Sequence, residues 1–168
     1  MEVYIDTDVY VLYLKNEDTY LGLDSDGARE LFNAIEREQV SLCVSDHLFN
    51  ELDSPGTLER DCCEWFAEEK FSLRNNAPAH VRKLSESQED LNNAKAVAQR
   101  LDSHTTDIRH YILARRSSVD GLVTKNQKDF DPLKKNEEVL EHITGLSTPW
   151  PPIWIPQYAR AEIIQQRK

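Results

Sequence analysis

Residues 3–9 of the chain read Val-Tyr-Ile-Asp-Thr-Asp-Val, and this stretch decides the fold class. Its apolar part begins almost at the first residue and shows no alternation with polar side chains. Such a run is typical of a strand in the middle of a parallel sheet. Residues 40–44 and 121–124 form two similar runs, and residues 153–155 form a plausible final strand.

Helical patterns lie between these strands. Apolar residues recur at helical spacing over 28–38, and Ser45 stands where it can cap a helix that runs through residue 52. Thr105 or Thr106 can cap another helix over 107–116. The remaining predictions are a loop over 15–26, one or two helices over 78–100, and a helix over 133–143. Short apolar strands that alternate with helices predict an α/β fold with a mainly parallel sheet.

The composition is that of a soluble globular domain. The chain has 168 residues, of which 39% are hydrophobic and 30% are charged. No apolar run approaches the roughly 20 residues of a membrane span, and the acidic start predicts no signal peptide. Three cysteines, Cys43, Cys62 and Cys63, suit reduced thiols in a cytoplasm. We expect one domain over residues 1–156 and a polar tail over residues 157–168.

The charge is unevenly distributed along the chain. The net charge is −10, which is unusual for a protein that binds a polyanion. Residues 1–70 carry 5 basic and 18 acidic side chains, whereas residues 71–135 carry 12 basic and 8 acidic ones. This asymmetry allows one face to meet a phosphate backbone while another face is acidic. A solvated acidic surface explains the composition equally well, so net charge does not decide the function.

Several oxygen-bearing side chains stand at the ends of predicted elements. Asp6 ends the first strand, Glu51 lies on the helix after the second, and Asp107 opens a later helix, while Asn126 and Asp129 follow the third strand. In parallel sheets, chemistry gathers beyond the carboxyl ends of the strands. Mg²⁺ and Mn²⁺ prefer oxygen ligands, so a hard divalent cation is expected if these side chains converge.

Each of these residues also has a structural interpretation. Asp107 can be a first-turn acid that the helix dipole favours. Glu51 can be a solvated helix residue, and Asp129 can cap a turn. Asp8 is expected to be structural or to face solvent. Only the combination of the acids indicates a site.

Four segments, in order, resemble the PIN-domain ribonucleases. Residues 3–9 are similar to the family's opening strand, and residues 44–52 resemble its second signature, an acid late in a short helix. Residues 107–114 resemble the third signature, an Asp that opens a helix. Residues 119–130, Val-Asp-Gly-Leu-Val-Thr-Lys-Asn-Gln-Lys-Asp-Phe, are similar to the closing strand and loop and are the most specific match. The layout is most similar to that of VapC-type toxins of toxin–antitoxin pairs.

The resemblance implies a PIN-like three-layer α/β/α fold and an endoribonuclease that hydrolyses phosphodiester bonds in RNA with Mg²⁺ or Mn²⁺. It implies Asp6, Glu51 and Asp107 as the catalytic, metal-binding acids. Many relatives place a second Asp at the position of Asn126, which can still offer a carbonyl oxygen, and Asp129 is a further candidate ligand. A cognate antitoxin and a homodimer are the partners that the resemblance implies.

Candidate substrate contacts surround these acids. Hydroxyl groups can bind a ligand or the phosphate, and cationic side chains can offset the acidic site so that RNA can approach. The candidates are Thr7, Thr124, Lys125, Lys128 and Arg109.

Two other functions remain open at this stage. Residues 6–9 also fit the opening of haloacid-dehalogenase-like phosphatases, in which Asp6 would be the nucleophile and Asp8 the acid/base. That alternative explains neither Glu51 nor Asp107. The third alternative is a PIN-like module with a weakened site, which binds RNA or a protein without cutting; Asn126 and the net charge favour it.

Overall fold

The structure, a computed structural model, describes residues 1–14, 22–53 and 79–165. Its strands in these ranges are β1 Glu2–Ile5, β2 Ser41–Ser45, β3 Val81–Leu84, β4 Gly121–Val123 and β5 Ile153–Trp154. Its helices there are α1 Thr7–Leu14, α2 Gly22–Glu36, α3 Asp46–Leu52, α4 Gln88–Leu101, α5 Thr105–Ser117, α6 Gln127–Lys135, α7 Glu137–Thr144 and α8 Pro156–Gln165. Within the described ranges, no helix is both long and apolar enough to cross a bilayer.

The strands form one parallel sheet in the order β3-β2-β1-β4-β5. β1 lies in the centre, between β2 and β4. From β1 the chain builds one half of the sheet through β2 and β3, and it then crosses to build the other half through β4 and β5. The direction of winding therefore changes between β1 and β4, and the carboxyl ends of these two strands flank the crevice where ligands bind in open α/β sheets.

Helices cover both faces of the sheet. Because side chains alternate across a strand, Val3 and Ile5 of β1 enter one hydrophobic cluster and Tyr4 enters the other. The first cluster includes residues of α1, α2, α3 and α8, and the second includes residues of α4, α5, α6 and α7. The predicted α/β class, the mainly parallel sheet and the three layers are confirmed.

The strand β3 was not predicted, because residues 78–100 were assigned to helices. Only Val81 of this strand is buried, while Arg82 and Lys83 are exposed. Among the strands of the described ranges, it lies at the edge of the sheet and pairs only with β2. An edge strand of this kind lacks the apolar run by which the other strands are recognised.

Three predictions about helix boundaries are also wrong. The predicted loop over 15–26 ends early, because α2 begins at Gly22; residues 15–21 lie outside the described ranges. Two helices replace the predicted single helix over 133–143, and Asn136 separates them. The residue before α5 is His104, which makes no side-chain cap. Ser45, in contrast, caps α3 as predicted and accepts a hydrogen bond from the backbone N–H of Leu48.

The C-terminal helix α8 packs against the domain. Ala159 and Ile163 are buried in the same cluster as α2. A Cβ atom at Gly27 of α2 would lie 2.7 Å from the backbone nitrogen of Gln157, so glycine permits this close approach. The predicted tail is thus a packed helix as far as residue 165, and residues 166–168 lie outside the described ranges. The domain boundary at residue 156 stays a prediction.

One of the three cysteines lies within the described ranges. Cys43 is buried in β2 with a free thiol. Cys62 and Cys63 lie outside the described ranges.

Candidate active site

A cavity of about 430 Å³ opens at the carboxyl ends of β1 and β4. Its lining residues come from the ends of these strands and from α1, α3, α5 and α6. They are Asp6, Thr7, Asp8, Val11, Leu12, Glu51, Thr106, Asp107, Lys125, Asn126 and Asp129. All five residues expected to bind a metal therefore line one cavity, although they are spread over more than 120 positions of sequence.

Asp6 and Glu51 meet at the buried side chain of His110. The backbone N–H of Asp6 donates to the carbonyl of Val123 (2.9 Å), which ties the end of β1 to β4. Nε2 of His110 lies 2.6 Å from Oε2 of Glu51 and 3.3 Å from Oδ1 of Asp6. Thr7 donates its hydroxyl hydrogen to the same Glu51 oxygen (2.5 Å). Glu51 is thus held from two sides.

The side chain of Asp8 is hydrogen-bonded to the loop that follows β4. Its carboxylate accepts the backbone N–H of Lys125 (3.0 and 3.1 Å to the two oxygens) and the hydroxyl hydrogen of Thr124 (3.1 Å). The Thr124 oxygen in turn accepts the N–H of Asn126 (3.1 Å). These bonds order the loop that carries the acids of α6, which agrees with the structural role expected of Asp8.

Asp107, Asn126 and Asp129 also line the cavity. Asp107 lies in the first turn of α5 and is half-buried. Asn126 donates a side-chain N–H to the carboxylate of Asp129. The Asn126 amide therefore holds Asp129 at the cavity.

The five residues predicted to contact the substrate differ in their position relative to the cavity. Lys125 and Thr7 line the cavity. Thr124 is fully buried and acts within the loop, and Lys128 is exposed in the first turn of α6 outside the lining residues. Arg109 forms a two-point ion pair with Glu86 and does not line the cavity.

Burial and pairing set the protonation of the central cluster. Burial raises the pKa of Asp6, although the charge of His110 opposes this shift. Burial alone would also raise the pKa of Glu51, but the hydrogen bonds from His110 and Thr7 prevail and lower it to about 2. The pKa of His110 is raised, because Asp6 and Glu51 outweigh the effect of burial. His110 and the two carboxylates therefore stabilise one another's charged forms.

The other groups around the cavity are shifted mainly by burial. Burial and the charge of Asp6 raise the pKa of Asp8 to about 6. Burial and the charge of Asp129 raise the pKa of Asp107. Burial and the charge of His110 lower the pKa of His47 to about 3. Acids that burial and like charge destabilise in this way are candidates for a site that binds a cation.

His47 and His110 were not among the predicted site residues. Together with Glu51 they form a group whose ligand atoms lie within 4.8 Å of one another and could hold a metal ion. Helical spacing is the signal that could have indicated them. His47 lies four residues before Glu51, and His110 lies three residues after Asp107, so each shares a helix face with a predicted acid.

No protein family matches the sequence of this chain, and no curated protein matches it. A chain in the solved structure of a toxin–antitoxin complex from Klebsiella pneumoniae is similar, with 17% identity and a TM-score of 0.46. The match covers 77% of this chain and 90% of that one.

Proposed function

We propose that this protein is a metal-dependent endoribonuclease that hydrolyses phosphodiester bonds in RNA. The observation that carries the proposal is the convergence of Asp6, Glu51, Asp107, Asn126 and Asp129 on one cavity at the carboxyl ends of the central strands. Four carboxylates and one amide form an oxygen-rich donor set, which suits Mg²⁺ or Mn²⁺. The raised pKa values of Asp6 and Asp107 support a cation there, because a bound cation would offset burial and mutual repulsion.

Asp6, Glu51 and Asp107 are the proposed metal ligands, and Asn126 and Asp129 complete the set. When bound, Mg²⁺ or Mn²⁺ supplies a Lewis acid that activates water and stabilises negative charge on the phosphate. Thr7 and His110 orient Glu51 through their hydrogen bonds. Asp8 orients the loop of Lys125 and Asn126. These contacts preorganise the donors.

We assign the substrate contacts according to the partners that each basic side chain already has. Lys125 lines the cavity and Lys128 is exposed three residues later, so we assign both to the phosphate backbone. Arg109 is paired with Glu86, and we assign it a structural role. A toxin role, a cognate antitoxin and a homodimer belong to the same proposal, and they rest on the sequence resemblance alone.

The proposal is tested with single-stranded and tRNA-like RNAs in the presence of Mg²⁺ or Mn²⁺. We expect cleavage that a chelator stops and that Asp6→Asn and Asp107→Asn each reduce at least about a hundredfold. Asp131→Asn is the matched control, because Asp131 is exposed on α6 and does not line the cavity. Its cleavage rate should equal that of the unchanged protein.

Two results would replace the proposal by one of its alternatives. RNA binding and metal binding without any cleavage would favour the binding module, which the amide of Asn126 makes plausible. A stable phosphate ester on Asp6 would favour the phosphatase. The phosphatase leaves Glu51 and Asp107 without a role, although both line the same cavity as Asp6.

A further inference from the structure

Two histidines and one glutamate form a compact group beside the oxygen-rich cavity. His47 and Glu51 are four residues apart on α3 and face the same direction, and His110 reaches them from α5. Both histidines are buried, and Glu51 is half-buried. Glu51 also lines the cavity, so it is common to the two groups of side chains.

The distances within this group are close to those of a metal centre. Nε2 of His110 lies 2.6 Å from Oε2 of Glu51, and Nε2 of His47 lies 3.9 Å from the same oxygen. Ligand bonds of about 2.0–2.2 Å in tetrahedral geometry place ligand atoms about 3.3 Å apart. Both distances are therefore within about 0.7 Å of that value, and the ligand atoms of all three residues lie within 4.8 Å of one another. Oδ1 of Asp6, which lies 3.3 Å from Nε2 of His110, is near enough to add a fourth ligand.

The surroundings of His110 resemble the outer shell of a metal ligand. Its Nδ1 is hydrogen-bonded to the hydroxyl of Tyr4 (3.0 Å), which is in turn bonded to Oγ of Ser45 (2.7 Å). Ser45 is fixed as the cap of α3, the helix that carries His47 and Glu51. Metal-bound histidines almost always use their second nitrogen in this way, which fixes the ring orientation. Here the arrangement directs Nε2 toward Glu51.

We propose that His47, Glu51 and His110 bind a divalent transition-metal ion, such as Zn²⁺ or Co²⁺, in a nitrogen-containing site next to the proposed Mg²⁺ site. Imidazole nitrogen suits these metals, whereas Mg²⁺ prefers oxygen and retains several waters. Glu51 links the two sites. This inference goes beyond the proposed function, since metal binding here does not require that RNA be cleaved.

The test uses Co²⁺ as a spectroscopic probe on the full chain after treatment with a chelator. We expect one equivalent of Co²⁺ to bind with visible absorption bands of low-symmetry coordination, to resist millimolar Mg²⁺, and to be displaced by Zn²⁺. His47→Gln and Glu51→Gln should each weaken Co²⁺ binding at least about tenfold. The control, His142→Gln, changes an exposed histidine on α7 and should leave the affinity unchanged.

His110 is fully buried, so its replacement can unfold the protein, and the test therefore rests on His47, on Glu51 and on competition with Mg²⁺. Each variant is first compared with the unchanged protein by circular dichroism. Equal Co²⁺ affinity in folded His47→Gln, or displacement of Co²⁺ by an equal concentration of Mg²⁺, would overturn the inference.

RNA cleavage with Mg²⁺ is measured in parallel, which separates the two proposals. Cleavage without specific Co²⁺ binding would remove only the transition-metal site. Specific Co²⁺ binding without cleavage under any cation would support that site and remove only the proposed nuclease.

Discussion

Acidic side chains occur in two kinds of environment in this molecule. Outside the cavity, three acids are each paired with an arginine: Glu2 with Arg82, Glu86 with Arg109, and Asp90 with Arg116. Around the cavity, the acids instead face one another. Among the described residues that line the cavity, Lys125 is the only lysine or arginine, against five carboxylates.

The electrostatics of the two groups differ accordingly. Burial raises the pKa values of Asp6, Asp8 and Asp107, so their ionised forms oppose folding at neutral pH. Glu51 is the exception, because His110 and Thr7 hold it ionised. Arginine side chains balance the charges of the three paired acids. The cavity acids instead carry negative charge that a bound metal cation can balance. Three changes test this contrast.

The largest effect should come from breaking an arginine pair. Asp90 is buried, accepts from Arg116 and completes the capping box of α4 with Ser87. Its replacement in Asp90→Ala removes the ion pair and the cap together, so we expect the free energy of unfolding to fall by about 2 kcal/mol. Glu89→Ala, an exposed neighbour in the same helical turn, should change it by less than about 0.5 kcal/mol. Urea unfolding measures both, and equal effects would show that pairing at Asp90 is unimportant.

A smaller effect is expected when the pH is changed in the presence of a chelator. The folded pKa of Asp8, about 6, exceeds its ordinary value of 3.8, so the folded state binds a proton more tightly than the unfolded state. Between about pH 5 and pH 6 the contribution of Asp8 to stability therefore falls as the pH rises, by about 1 kcal/mol. Asp8→Asn should flatten this fall. Urea midpoints at several pH values in this window measure the slope, and parallel slopes for the two proteins would contradict the assignment.

The position of an element in the sheet explains which parts of the fold and of the candidate site the sequence could predict. β1, β2 and β4 are central strands with short apolar runs, so periodicity found them, whereas β3 exposes Arg82 and Lys83 and left no such run. Four of the five cavity acids could be predicted because they stand at the ends of elements, where a parallel sheet brings them to one edge, whereas Asp8 was expected to be structural or to face solvent.

Pairing between distant side chains could not be predicted in this way. Glu51 and His110 are 59 positions apart, and their contact depends on how α3 packs against α5. The ion pair between Arg109 and Glu86 is equally invisible to local spacing, so it could not inform the prediction that Arg109 contacts the substrate. Spacing along the chain predicts which acids lie at one edge of the sheet. Only the packing of the helices determines which histidine or arginine side chain each acid contacts.

The smallest effect, and the most direct test of the contrast, concerns Asp107. Burial and the charge of Asp129 raise its pKa, so its ionised form destabilises the metal-free protein at neutral pH. Because the side chain is half-exposed and solvent screens its charge, Asp107→Asn should raise the free energy of unfolding by only a few tenths of a kcal/mol. Asp131→Asn, an exposed acid on α6, should leave it unchanged.

Mg²⁺ or Mn²⁺ should reverse this order of stability. A cation that binds the folded state alone stabilises it by mass action, and the unchanged protein offers one more carboxylate than Asp107→Asn. Its thermal midpoint should therefore rise more on addition of the cation than that of the variant. Asp131→Asn should respond like the unchanged protein. If Asp107→Asn gains as much from the cation as the unchanged protein does, then Asp107 is not a ligand and its burial has another cause.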